Sequence, residues 1–278
     1  MNKFEMKMRR SGHTGVLIIK SFFLGFLFLF LISCDGNSGS PEKPVEQEFN
    51  YLPTSTTGAV VKHKYYTLSY FEKYEQAEWV AYELRKDQIV YIHLDRPYFE
   101  QDPLVKTGSA DWVNYKDSGY TKGHLLPAAD RKFNITAYNE TFLTSNISPQ
   151  IYEFNAGIWL ILEEQVRKWA ERYDKLYIVT AGVLKPGLKT IGYEEVAVPE
   201  YFYKVILDYT EPEIKAIAFI IPHEESNRPL TNFVISIDDL EERTHIDFFP
   251  ELPDDLENKL ESSTDYSKWK FDEIKIDF

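Results

Sequence analysis

The sequence predicts an α+β fold with a mixed or antiparallel sheet at its core, and three observations carry that reading. Several short runs of apolar, β-branched or aromatic residues, bounded by turn residues, have the character of strands. One segment, 155–173, repeats apolar residues at helical spacing. Strands fall in groups before and after that helix instead of alternating with helices, which is the pattern of a layered α+β domain. Composition agrees: 44% of the 278 residues are hydrophobic and 15% aromatic, enough for a core, and Tyr and Phe favour a sheet interior over a helical bundle.

Taken in order, the chain opens with a leader. Lys3, Lys7, Arg9, Arg10 and Lys20 precede an apolar run, 22–32, that ends at Ser33 and the sole cysteine, Cys34. The run is too short to span a hydrocarbon core of about 30 Å but suits the apolar region of a secretory leader. Leu31-Ile32-Ser33-Cys34 resembles the bacterial lipobox. The resemblance implies a lipoprotein signal peptide over 1–33, lipidation of Cys34, and a lipid-anchored protein of the bacterial cell envelope, on the periplasmic face of a membrane or at the cell surface. An uncleaved anchor with a chance cysteine is the other reading. A single cysteine supports no disulfide framework.

Residues 34–58, rich in Gly, Ser, Pro, Glu and Thr, read as a flexible tether. The folded domain is expected over 59–263, with strands at 79–84, 89–93, 176–179, 201–207, 215–221 and 233–236. In the 155–173 helix, Ile158, Leu162, Val166 and Trp169 form the apolar stripe, and Glu163 and Glu164 alternate with Arg167 and Lys168 on the wet side. Ser236 with Asp239 three residues on begins a second helix, and Pro253-Asp254-Asp255 opens a short third. A tail, 264–278, is a final strand or a frayed end.

A formal net charge of −13 looks hostile to nucleic acid, where Lys and Arg must neutralise phosphates. Its distribution matters more. From Trp112 to Arg172, seven basic residues balance seven acidic ones, whereas from His223 to the end six face sixteen. Such a chain is a poor high-affinity binder, yet a catalyst that holds phosphate briefly through a metal is compatible with it.

The polar residues that carry chemistry cluster in three stretches. The first runs from Ser118 to Asp130 and contains Thr121-Lys122-Gly123-His124; the second holds Ser145-Asn146 with Pro149-Gln150; the third holds Asn155, Trp159 and Glu163. There is no His-Glu-x-x-His, no Gly-x-Ser-x-Gly and no cysteine cluster, so zincin, serine-hydrolase and zinc-ribbon readings lack support. His223-Glu224-Glu225 reads as a solvated loop, and His93 and His245 as structural.

These spacings resemble the DNA/RNA non-specific endonucleases, the ββα-metal group that includes endonuclease G. The resemblance covers about Tyr65 to Leu260, including Arg96-Pro97-Tyr98-Phe99 and Ile246-Asp247-Phe248-Phe249-Pro250. It implies a strand–strand–long helix catalytic motif and hydrolysis of DNA and RNA with little sequence preference. His124 corresponds to the general base and Asn155 to the direct ligand of Mg²⁺ or Mn²⁺; Asn146 and Glu163 are supporting catalytic residues. A neutral imidazole suits proton acceptance near neutral pH, and a hard cation prefers oxygen ligands. Glu163 lies about 12 Å of helical rise from Asn155, so it reaches the metal only through a water, or else pairs with Arg167. Arg96 stabilises transition-state charge or forms a surface pair with Asp95. Thr121-Lys122 stands where the family commonly has Asp-Arg, which leaves Lys122 as the substrate-binding cation without a bidentate phosphate grip. The acidic balance and this departure also fit a catalytically degenerate surface lipoprotein that uses the fold for binding.

Overall fold

Three strands whose residues are buried on both faces form the middle of a large sheet, and shorter strands with one wet edge complete it. In the computed structural model, which describes residues 49–274, the chain begins with β1 (Val60–Lys62), β2 (Thr67–Phe71) and β3 (Gln76–Arg85). There follow β4 (Thr121–His124), α1 (Ile135–Glu140), β5 (Ile147–Gln150), α2 (Tyr152–Asn155) and α3 (Ile158–Tyr173). Next come β6 (Lys175–Gly182), β7 (Lys189–Ile191), β8 (Val196–Val198), β9 (Tyr201–Asp208) and β10 (Lys215–Pro222). The last elements are β11 (Val234–Ile235), α4 (Ile237–Thr244) and α5 (Asp254–Glu261).

The large sheet has the order β1-β2-β3-β6-β9-β10-β11, and every neighbouring pair is antiparallel. The small ladders β4–β5 and β7–β8 stand apart from it. Adjacent residues of a strand point to opposite faces, and β9 shows what covers each. Lys204 lies over the ring of Trp159 in α3 at 4.8 Å, whereas Tyr203 meets Phe248, after α4, edge-on at 5.5 Å. The sheet is therefore sandwiched, with α3 on one side and the segment following α4 on the other.

Three sequence expectations need correction here. Residues 89–93 form no strand: Tyr91 and Ile92 are exposed, and the run is held against α3 by a hydrogen bond from the Tyr91 hydroxyl to Glu171 (2.7 Å). The helix expected over 155–173 is two helices, because the backbone turns at Gly157, where a Cβ would lie 2.2 Å from the Glu153 carbonyl oxygen. Packing also extends past the expected 59–263 domain at both ends. Phe49 stacks on Tyr209, Tyr51 on Tyr177, and Trp79 donates its indole N–H to the Thr54 carbonyl, so the last part of the 34–58 tether belongs to the folded body. In the 264–278 tail, Trp269 is buried against Trp169 at 4.7 Å, and the Lys270 carbonyl accepts from the Trp169 indole. The tail is neither a strand nor frayed over its described part; it clamps α3.

Candidate active site

β4 and β5 owe little to hydrophobic patterning. Thr-Lys-Gly-His pairs with Ile-Ser-Pro-Gln in the register Thr121 with Gln150 to His124 with Ile147. Gly123 is required by a close approach, since a Cβ there would lie 2.1 Å from the Gln150 side chain. Asn146 sets the chain's path beyond the ladder. It is fully buried, its Oδ1 accepts from the Leu126 N–H (2.9 Å), and its Nδ2 donates to the carbonyls of Leu126 (3.0 Å) and Thr141 (2.9 Å). Its side-chain oxygen and nitrogen are thus both engaged by backbone, and Asn146 ties the end of the β4–β5 ladder to the Leu126 and Thr141 segments.

The other sequence-predicted residues meet in one cleft of about 380 Å³, lined by Arg96, Lys122, His124, Asn155 and Glu163 together with His93, Glu164 and Arg167. The His124 ring packs edge-on against Phe142 (5.0 Å) and near Phe99 (5.7 Å), and its Nε2 is buried with no hydrogen-bond partner. Burial first, and the Arg96 charge second, push this imidazole down to about 3, so it is neutral across the physiological range. The Arg96 guanidinium sits 5.4 Å from the Phe142 ring. The alternative pairing with Asp95 does not occur, because Asp95 lies 3.8 Å from His93 instead. Lys122 extends over Phe99 (5.3 Å) and Trp112 (6.0 Å), presenting a cation at the cleft.

Asn155 closes α2, and the turn at Gly157 holds it off the long helix. Its Nδ2 donates to the Thr121 hydroxyl (3.0 Å), which in turn donates to the Gln150 carbonyl (2.8 Å). That chain orients the amide and leaves Oδ1 uncommitted. His223, expected in a solvated loop, supports the same turn from below. Its Nε2 accepts the Ile151 N–H (2.8 Å) and its Nδ1 donates to the Pro199 carbonyl (2.8 Å), a neutral ring consistent with the burial that lowers it.

Glu163 does not pair with Arg167. Arg167 is spent on Asp130 (2.7 Å) and Glu164 (2.6 Å), and Asp130 also accepts from the Tyr82 hydroxyl (3.2 Å). Among the described residues Glu163 makes no direct hydrogen bond or ion pair. Burial holds its carboxyl above the usual range, and the positive charges of Lys204 and Arg167 oppose that. Lys204 itself is fully buried, pushed down by burial, and donates to the Thr180 hydroxyl (3.1 Å). Sequence reasoning missed Lys204, Asp130 and the exposed His93, which is at the cleft and not structural. Only Asp130 carried any local signal, as the end of the Ser118–Asp130 stretch.

The residues fit a hard divalent cation. The donors that face the cleft with uncommitted oxygens among the described residues, the Asn155 amide and the Glu163 carboxylate, are the type such an ion takes, and no thiolate lines the cleft.

A model of the family described as DNA/RNA non-specific endonuclease matches residues 47–255. The mitochondrial nuclease EXOG of Homo sapiens is 34% identical over 234 residues, which cover 77% of this chain and 62% of that protein. Nuclease C1 of Cunninghamella echinulata var. echinulata is 31% identical over 204 residues, covering 67% of this chain and 81% of that one. A crystal structure of an EndoG/EndoGI complex matches with a TM-score of 0.65 at 26% identity, over 70% of this chain and 86% of the other. The chain thus spans less than two thirds of the length of the EXOG relative. These comparisons overturn the bacterial cell-envelope localisation: EXOG, matched over most of the chain, is a mitochondrial protein by name. Cys34 and the leader lie outside the described residues, and among the described residues no helix is long and apolar enough to cross a membrane.

Proposed function

The chain belongs to the DNA/RNA non-specific endonuclease family, and from that premise we propose that it hydrolyses phosphodiester bonds in DNA and RNA with a divalent cation and little sequence preference. The observation that carries the reading is the neutral His124 imidazole, its buried Nε2 unpartnered, in one cleft with Asn155, Glu163, Arg96 and Lys122.

His124 acts as general base. A ring held neutral by burial and by Arg96 can take a proton from an attacking water. A base pushed so low is weak in the free protein, but a bound phosphodiester brings negative charge beside the ring and offsets Arg96, which raises its basicity as substrate arrives. Phe142 and Phe99 fix the ring's orientation and exclude competing water. Arg96 and Lys122, neither engaged in an ion pair among the described residues, neutralise charge on the phosphoryl oxygens. Asn155 would hold Mg²⁺ or Mn²⁺ through Oδ1, and Glu163 would steady that ion's hydration from the second turn of α3. When bound, the cation supplies Lewis-acid stabilisation of the phosphoryl charge. Asn146 contributes by positioning the β4–β5 end, not by contact.

The acidic excess lies on the C-terminal elements and not around the cleft, where basic side chains face the substrate. Cleavage of plasmid DNA and of RNA by His124→Ala with Mg²⁺ tests the assignment. Loss of at least a hundredfold in rate is expected; undiminished cleavage ends it.

A further inference from the structure

The C-terminal acidity has a focus. One carboxylate oxygen each from Asp238 and Glu241 of α4 and Glu261 of α5 lie within 4.8 Å of one another. Glu261 is only 7% exposed, and its Oε1 has no hydrogen-bond partner. Glu241 is half-buried and accepts the Phe248 N–H (2.7 Å), while Asp238 is exposed. None of the three takes part in an ion pair among the described residues, although Arg243 and Lys259 lie on the same two helices. The strongest charged neighbours of Glu261 are Glu241, Glu257, Asp238 and Asp247, all negative.

Glu261 is also the last residue of α5, where the helix's own partial negative charge gathers. A buried carboxylate among four others, with an unsatisfied oxygen and the wrong end of a helix beside it, lacks its counter-charge. Oxygen ligands held at about 2.4 Å from one Ca²⁺ stand no more than about 4.8 Å apart, a limit that the three oxygens meet. Exposed Asp238 leaves the rest of the coordination sphere to water, which the flexible geometry of Ca²⁺ tolerates better than the strict octahedron of Mg²⁺.

We propose that Asp238, Glu241 and Glu261 form a Ca²⁺ site that bridges α4 and α5 and is separate from the catalytic cleft. None of its residues lines that cleft. Bound ion joins two helices that are consecutive in sequence but connected by a long turn, and so stabilises that side of the sheet.

The test uses the full chain freed of metal, titrated with CaCl₂ by calorimetry and followed in parallel by thermal melting. Wild type and Asn155→Ala are expected to show the same Ca²⁺-dependent rise in Tm and the same binding isotherm. Glu261→Gln weakens binding at least tenfold, and it melts higher than wild type without Ca²⁺ because it takes one carboxyl out of an all-acidic cluster. Asp238→Asn, at an exposed position, also weakens binding. No Ca²⁺-dependent rise in wild type overturns the proposal. So does a rise that disappears in Asn155→Ala but persists in Glu261→Gln and Asp238→Asn, since the ion would then be in the cleft.

Discussion

Thr121→Val removes a hydroxyl that does two things while keeping the side chain's shape. The hydroxyl accepts the Asn155 amide (3.0 Å) and donates to the Gln150 carbonyl (2.8 Å). Each neutral hydrogen bond contributes about 0.5–1.5 kcal/mol net, so the fold loses about 1–3 kcal/mol. The larger effect falls on the cation. With Thr121 present, the amide can present only Oδ1 to the cleft, because the reverse orientation sets a carbonyl against the hydroxyl's lone pair. Without it both orientations are open. Loss of such an orienting partner typically weakens a metal site by about tenfold to a hundredfold. The assay is the initial rate of plasmid and RNA cleavage against Mg²⁺ concentration. The half-saturating Mg²⁺ is expected to rise by about tenfold to a hundredfold, the rate at saturating Mg²⁺ to change little, and Thr121→Ser to restore the wild-type curve. An unchanged Mg²⁺ dependence in a folded Thr121→Val variant refutes the idea that Asn155 holds the ion in the orientation described.

Three further outcomes follow from the same geometry. Because His124 is pushed down to about 3, its neutral form persists well below the ordinary histidine range, and kcat/KM has no acid inflection near pH 6.5; Arg96→Gln removes one of the two causes and moves the acid limb upward, which a pH profile of both proteins reads. Asp130→Asn leaves Arg167 buried with only Glu164 opposite, and costs about 3 kcal/mol in urea unfolding, the low end for a broken buried pair. Trp269→Ala empties the contact between the tail and Trp169, lowering stability by about 3 kcal/mol and Tm by about 6–12 °C in a melting experiment.

Reading the chain succeeded where information is local. The apolar stripe of Ile158, Leu162, Val166 and Trp169 is a property of neighbours on one helix, and all four side chains are buried as that spacing requires. The Ser236 cap likewise accepts from Asp239 N–H as the residue pair suggests. Failures came where local character was weak or misleading. β4 and β5 carry too few apolar residues to announce themselves, although they bear His124 and brace Asn155. Residues 89–93 have strand-like composition, yet they pair with no strand and run over α3 and on toward Arg96.

The sequence by itself determined the α+β class, the residue types of the site and their spacing, since helix and strand periods, turn chemistry and polar motifs are written in short stretches. Only the tertiary structure decided which of those residues face one another. It drew Arg96, Lys122, His124, Asn155 and Glu163 into one cleft, withdrew Asn146 into the backbone frame, set Lys204 behind Glu163, and gathered three carboxylates from two helices. The physical reason is that a side chain's direction depends on register, on a single turn such as that at Gly157, and on what packs across the sheet. Those are properties of pairs distant in the chain, and no local pattern records them.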